Sequence, residues 1–568
     1  LMKKNYFYYL SFMLFAPVFA QSQVKSKLWY DGNARVMYNR DALEGTLKET
    51  DTVSTKSNGG GFTILDLGFH FTPVDDIEIS SEIRLKNDFG GMWGNKNFVE
   101  LRRLSAKGVV NNKIAFSVGD IYLKQTKFTL HNYDQELSKY EPSVFKFYRD
   151  FVNYENYYQS NYWRLQGVQT NFSYNMYNLI EQLDFDGFAA RVRGQEWMGK
   201  PELLMIGGSA VVKSSKINLG SHYINTFEIL SSSNGTVTYY NPVLNTQLSY
   251  SGSLKDVPYK VLLEGGFSKR GWHGDSLAPE IKGNFMEASI HSKGKKREIN
   301  IGFRYVDTDF RSIGSQTRRI NYNNTTTTYP YYSNDYTQRK VSLIDIMSDP
   351  NIYNQNLSTS LMNYNPMYSS VSPYGNATPN RIGLTAEIDN LNLTDFLSAK
   401  VQTQYFSEII GQGTTHKRSF NRYALHSSLS LDKLLSLNKS LLLEGSMNLE
   451  TVNRDGNDFE KLDFNSILYS GSISYELIKN FKIIAGAKVF YAEGNEFITE
   501  RDMYDQINDY SDINYDSKET VLIAGLQHHF TDDIYFTMQY NQFNVLDKTN
   551  TYDEFSLGRL IFMFNMNL

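Results

Sequence analysis

Apolar and polar residues alternate one by one along most of this chain. Ile77, Ile79, Ile83 and Leu85 fall on one side of a run whose other side carries Glu78, Ser80, Glu82, Arg84 and Lys86. Tyr259, Val261, Leu263 and Phe267 oppose Lys260 and Glu264, and Ile299, Ile301, Phe303 and Tyr305 oppose Arg304. Further on, Leu441, Leu443, Met447 and Leu449 oppose Glu444, Asn448 and Glu450, while Phe481, Ile483, Ala485, Ala487, Val489 and Tyr491 oppose Lys482, Gly486 and Lys488. A period of two is that of a β-strand with two unlike faces. The last instance ends the chain: Leu560, Phe562, Phe564, Met566 and Leu568 against Arg559, Ile561, Met563, Asn565 and Asn567.

From about Val24 one unit recurs: strand, short polar turn, strand, longer loop. Short turns are marked by Pro73 to Asp76, Asn111-Asn112, Ser214 to Lys216, Lys255 to Pro258, Lys293 to Lys295, Ile478 to Asn480 and Thr531 to Asp533, all with turn-forming residue types. Long connections are expected at 41–60, 87–97, 124–162, 271–282, 311–378 and 494–517. Because short and long connections alternate, turns gather at one end of the sheet and loops at the other. The faces then fix the solvent. Buried in a dry core, the charged face would cost several kcal/mol per unpaired charge; in water, the apolar face would exceed any patch a soluble monomer tolerates. Lipid outside and water inside satisfies both. The expected fold is an all-β transmembrane antiparallel up-and-down barrel of about 22 strands, in a range of roughly 18 to 24, with short periplasmic turns and long extracellular loops. An even strand number leaves both termini on the turn side.

Composition changes this picture little. The 41 Tyr and 36 Phe suit strands and interfacial aromatic girdles, and a mean hydropathy of -0.44 is what alternating strands and polar loops produce. Beyond the N-terminus no run approaches the roughly 18 apolar residues of a membrane-spanning helix. A net charge of -4 leaves no basic field for a nucleic-acid backbone. With 0 Cys, disulfides, thiolate metal sites and a lipidated N-terminal Cys are excluded. Lys3-Lys4, the apolar run Tyr6 to Phe19 and the small-residue end Val18-Phe19-Ala20 have the order of a secretory leader. The expected organisation is therefore a signal peptide at 1–20 and a single barrel domain at 21–568, with loops near 124–162, 311–378 and 494–517.

Candidate chemistry is confined to the inner face and the loops. Glu78, Glu82, Arg84, Lys86, Arg191, Arg193, Lys260, Glu264, Arg304, Glu444 and Lys488 are the lumen-facing candidates. They either set a transverse field that selects solutes or are salt-bridged filler. Tyr133, Tyr140, Phe147, Tyr148, Tyr154, Tyr157, Tyr158 and Trp163 are loop aromatics, suited to stacking on sugars, to a partner surface or to a private core of their own. The 311–378 insertion, with Pro330, Pro350, Pro366 and Pro373, reads as an irregular loop in which Val341 to Met347 makes a short helical turn. Asp512, Asn514 and Asp516 copy the first ligands of a calcium loop but lack its Gly and closing Glu, so the acidic stretch 500–519 reads as an exposed loop and no metal site is assigned. None of the nine His sits in a catalytic motif; His131 with Asp134 and Ser138 is the one local cluster. No cofactor fingerprint and no catalytic residue are assigned, and an enzyme is not expected.

Taken together, leader, alternating turns and loops, two-faced strands and an amphipathic final strand resemble the outer-membrane β-barrel proteins of Gram-negative bacteria. In that family the last strand closes the barrel, commonly with a terminal aromatic where this chain has Leu568. The resemblance implies location in the outer membrane after export, contact with outer-membrane lipid and lipopolysaccharide, and a porin-like conduit for small hydrophilic solutes with a loop-constricted lumen. Neither a plug domain nor a C-terminal peptidoglycan domain is expected. The alternative is a non-transporting barrel that joins an outer-membrane assembly through partner subunits or binds a surface ligand through its aromatic loops. The final strand is expected to pair with both 533–546 and the first strand near 26–39.

Overall fold

A computed structural model describes residues 27–45, 57–89, 97–132, 140–176, 179–194, 201–229, 237–316, 320–330, 338–353, 357–549 and 554–568. The expected leader at 1–20 lies outside them. Twenty-two strands follow in chain order. They are β1 (Lys27–Gly45), β2 (Ser57–Val74), β3 (Ile77–Asp88), β4 (Asn97–Val110), β5 (Ile114–Leu123), β6 (Trp163–Asn175), β7 (Gln182–Arg193) and β8 (Glu202–Lys213). Next come β9 (Ile217–Ile229), β10 (Thr238–Leu254), β11 (Val257–His273), β12 (Ile281–Lys293), β13 (Glu298–Val306), β14 (Arg381–Asn392) and β15 (Leu397–Ser407). The last are β16 (Ser419–Ser430), β17 (Leu441–Arg454), β18 (Leu462–Ile478), β19 (Phe481–Arg501), β20 (Ile507–His529), β21 (Ile534–Asp547) and β22 (Phe555–Asn567). Among the described residues four short α-helices interrupt them: α1 (Lys146–Glu155), α2 (Ile313–Gln316), α3 (Leu343–Ser348) and α4 (Leu431–Leu435).

Each strand is antiparallel to the next, and the sheet closes on itself. β22 pairs with β21 from Ile534↔Met566 to Val545↔Phe555 and with β1 from Asn33↔Asn567 to Gly45↔Phe555. The fold is a closed, 22-stranded antiparallel barrel. Closure is what lipid demands, since a sheet edge in hydrocarbon would leave its N–H and C=O groups without partners. Seven expected turns all lie at one end of the barrel. One of the two-residue turns, Lys255-Asp256, joins Leu254↔Val257 with φ of 47° and 66°, the doubly left-handed geometry of a two-residue hairpin.

The loops gather at the other end, with one correction. The stretch 494–517 is not a loop: β19 and β20 stay paired from Gly494↔Tyr515 to Arg501↔Ile507, and only 502–506 connects them. Its Asp, Asn and Ser residues imitate turn chemistry. They sit on the far end of two long strands, where polar side chains are tolerated and Tyr, Ile and Phe keep the strand period. Asp512, Asn514 and Asp516 are thus alternate residues of β20, and Asp516 pairs with Lys548 at 3.0 Å.

The outer face carries an apolar band, including Leu85, Leu263, Phe267, Ile301, Leu384, Ile473, Leu522 and Tyr540, all exposed. In β22 Phe562 belongs to this face, while Arg559, Ile561, Met563 and Asn565 beside it are buried inward. Replacing Phe562 by Arg places a cation near the middle of the last strand's lipid face and is expected to cost about 2–4 kcal/mol in a bilayer refolding equilibrium.

Candidate functional site

The inner face is graded along the barrel axis. On β21 it runs Thr537, Gln539, Asn541 and then Phe543, Val545 toward the loops; on β22 it runs from Asn565 through Met563 and Ile561 to Leu557 and Phe555. β19 behaves alike, with Lys482 near the turn and Phe490 and Ala492 near the loops. The apolar ends are buried because the two long loops, 124–162 and 307–380, fold against them. One cluster joins Phe420, Val452, Phe464, Phe490 and Phe543 of the wall to Phe145, Tyr148 and Val152 of the first loop and Ile344, Ile346, Met347 and Val371 of the second. Another joins Ile121, Trp163, Leu203, Met205 and Phe285 to Phe128, Leu130, Phe310 and Ile313.

Local chemistry shapes the inserted loops. α1 buries Tyr148, Phe151 and Val152 on one side. The guanidinium of Arg149 donates to the Tyr353 hydroxyl at 2.8 Å, which holds α1 to the segment beyond α3. α3 begins with a reciprocal cap between Ser342 and Asp345, and Arg339 grips the same Asp345 through both Nη atoms at 2.9 and 2.7 Å.

Wall charges hold these loops in place. Glu444 accepts from the Ser143 N–H at 2.8 Å. Glu450 accepts from the N–H groups of Ser370 and Val371 at 2.7 and 3.1 Å. Glu519 accepts from the Leu343 N–H at 2.6 Å and from the Tyr368 hydroxyl. Lys488 is paired with Glu141, and Glu287 takes both Lys127 and, at 2.7 Å, Arg304. The densest group surrounds Asp66: Arg84 donates to both its oxygens at 2.8 Å, Arg102 at 2.8 Å and the Tyr154 hydroxyl at 2.5 Å. Arg84 also spans to Glu155 of α1 at 2.7 and 2.9 Å.

The other inner-face candidates divide between buried and wet. Glu264 is 3 % exposed and accepts from Asn245 at 2.5 Å. Glu82 lies 3.1 Å from Arg102. Glu78 lies 3.0 Å from His70 and 3.4 Å from Lys107; Lys86 lies 3.2 Å from Asp88. Lys260 is exposed near the turn end of β11. One placement is a correction. A bulge between Arg191 and Arg193 sets Arg191 opposite Leu204 and Arg193 opposite the buried Leu203. Arg191 therefore points outward, paired with Glu202 at 2.8 Å, and Arg193 turns inward to Glu228 at 2.8 Å. An extra residue inverts the face of everything after it.

The loop aromatics are used inside the barrel. Tyr140 donates to Glu387 at 3.3 Å, and Phe147 lies edge-on to Tyr148. Trp163, the first residue of β6, donates to the Gly314 carbonyl at 2.9 Å. The Tyr158 N–H closes the end of α1 on Asn153 at 2.8 Å. Tyr157 fills a seam in the wall: β4 and β5 pair only from Ser105↔Gly119 to Val110↔Ile114, and where they part Arg102 and Arg164 cover the Tyr157 ring at 4.1 and 3.9 Å. Burial pushes the Tyr148, Tyr154 and Tyr157 phenols up, so they remain neutral, and Tyr154 donates to Asp66. Tyr133, Asp134 and Ser138 lie outside the described residues; His131 meets the Asn161 amide at 2.7 Å.

Between α1, the segments 327–330 and 348–351, and the wall of β1, β2, β3 and β22 lies a cavity of about 570 Å³. Phe62, Phe147, Phe151 and Tyr329 give it apolar surfaces, and Asn39 and Asn58 polar ones. Its charged groups are held locally. Arg559 grips Asp41 at 2.8 and 2.9 Å, Glu155 is held by Arg84, and Asp349 accepts from the Thr327 N–H at 2.6 Å. A polar, concave space with paired charges and aromatic walls can hold a small hydrophilic molecule.

No protein-family profile matches the chain, and no curated protein is significantly similar to it in sequence. Solved structures similar to it include a BenF-like porin from Pseudomonas fluorescens Pf-5, at 9% identity over 95% of this chain and 99% of that one, with a TM-score of 0.34. Others are Pseudomonas aeruginosa OpdL, at 9% identity, 95% and 99% coverage and a TM-score of 0.34, and OccK2 (OpdF), at 10%, 95%, 98% and 0.33. With such scores, function rests on this chain's own side chains.

Sequence reasoning did not single out Asp66, Asp41, Arg102, Glu519 or Arg339. Their signal was the apolar ends of the inner strand faces, which imply a partner inside the barrel. Asp66→Asn keeps the shape but leaves Arg84 and Arg102 short of a buried counter-charge. It is expected to destabilise the loop insertion by about 3–5 kcal/mol, read as faster tryptic cleavage at Lys146 and Arg149 with the barrel intact.

Proposed function

We propose that this chain is an outer-membrane channel for small hydrophilic solutes, exported through its leader, embedded among outer-membrane lipid and lipopolysaccharide, and narrowed by the loops at 124–162 and 307–380. One observation carries this reading: both loops are tied into the lumen by wall charges, yet leave the 570 Å³ cavity lined by aromatic and neutralised polar groups. Had the inner charges been free, they would define a broad ionic field; spent on loop N–H and guanidinium groups, they set the width instead. The wall glutamates Glu444, Glu450 and Glu519 work as anchors, and selectivity belongs to what borders the remaining space.

Reconstitution into planar bilayers tests the proposal. The full chain is expected to give small, stable conductance steps. Replacing 140–158 by a short Gly-Ser linker removes α1 and is expected to raise the conductance several-fold. No conductance from either protein, with both folded by heat-modifiable migration, would sink the channel reading.

A further inference from the structure

A second cavity, of about 520 Å³, lies where the ends of β11, β12 and β19 meet the start of the second long loop. Three arginines converge there on one carboxylate. Arg311 donates through Nε to Asp505 Oδ2 at 2.7 Å, Arg270 donates to the same oxygen, and Arg501 donates to the Asp505 carbonyl at 2.9 Å with its Nε 3.7 Å from Oδ1. Arg270, Arg311 and Asp505 are 3, 4 and 5 % exposed. Burial alone would raise the Asp505 carboxyl, but Arg311, Arg501 and Arg270 outweigh it and hold the group below the usual carboxylate range. The cluster thus carries three positive charges and one negative at neutral pH.

The cluster at Asp66 is matched differently: Arg84 meets both Asp66 and Glu155, and Arg102 meets both Asp66 and Glu82. Around Asp505 the remaining charges are peripheral: Lys282 pairs with Glu280 at 3.2 Å, both side chains exposed, and Asp309 is exposed. Arg270 Nε is buried with no hydrogen-bond partner. A surplus of buried positive charge with an unused donor is costly without a counter-ion, and guanidinium forks suit planar or tetrahedral oxyanions. We propose that this cavity is an anion site for a carboxylate or phosphate group, ligated by Arg270 and Arg501, with Gln412 and Gln506 bordering the rest of the molecule. The site stands on its own geometry, whether or not the barrel conducts.

Isothermal titration of the detergent-solubilised chain with inorganic phosphate and with citrate, against chloride at equal ionic strength, tests it. Saturable binding is expected, with phosphate alone marking an inorganic ligand and citrate marking an organic acid. Arg501→Gln leaves Asp505 its two closer arginines and is expected to weaken binding at least tenfold. A variant-free measurement accompanies it: the bound anion should slow phenylglyoxal modification of Arg501, mapped by mass spectrometry. Heats no larger than chloride's, wild-type affinity in folded Arg501→Gln, or no protection of Arg501 would each overturn the site.

Discussion

Everything in this molecule depends on the requirement that no backbone group be left unpaired in lipid. A helix meets that requirement within itself; a sheet meets it only by closing. Here closure is the β1–β22 ladder, and it dictates the rest. Once the sheet is a cylinder, each strand has one face toward lipid and one toward an enclosed space. The two-residue alternation is the sequence's record of that division. The same ladder explains why β19 and β20 tolerate Asp509, Asp512 and Asp516 beyond the band: pairing is preserved, and side chains there no longer need to be apolar.

A 22-stranded cylinder encloses more space than its own side chains can fill. The chain fills it with its two longest connections. The driving force is apolar burial, since Phe145, Tyr148, Ile346 and Val371 find matching surface on Phe420, Phe464, Phe490 and Phe543. Burial by itself would allow many arrangements. Glu444, Glu450 and Glu519 restrict them, because each accepts backbone N–H donors at fixed points of a loop. Asp66 does the same for the end of α1 through Arg84 and Tyr154.

These anchors divide the inner charges into two groups. Most are matched inside the protein and so are structural. The Arg270, Arg311 and Arg501 group exceeds its single buried carboxylate, and its surplus is directed at something outside the chain. The cavity beside α1, with its charged groups already engaged within the protein, is a place for shape and aromatic contact. The two spaces differ in kind although they are similar in size.

Most strand positions, the apolar outer band, the side on which turns gather and the pairing of the last strand with the first were legible in residue order; the far parts of β19 and β20 were not, because their Asp, Asn and Ser residues imitate a loop. They follow from a local rule, the two-residue period, applied against a solvent that admits no exceptions. The bulge that turns Arg193 inward, away from the face of Arg191, was not legible, because one extra residue leaves no mark on composition. Nor were the partners of Glu444, Glu450 and Asp66, for they lie up to 301 positions away in the chain. Residue order suffices for a barrel and its two faces. That the inner face is largely spent on holding two loops, and where it is not, emerges from the folded arrangement alone. Which charge meets which partner depends on distances set by the closed cylinder, and no local pattern encodes those.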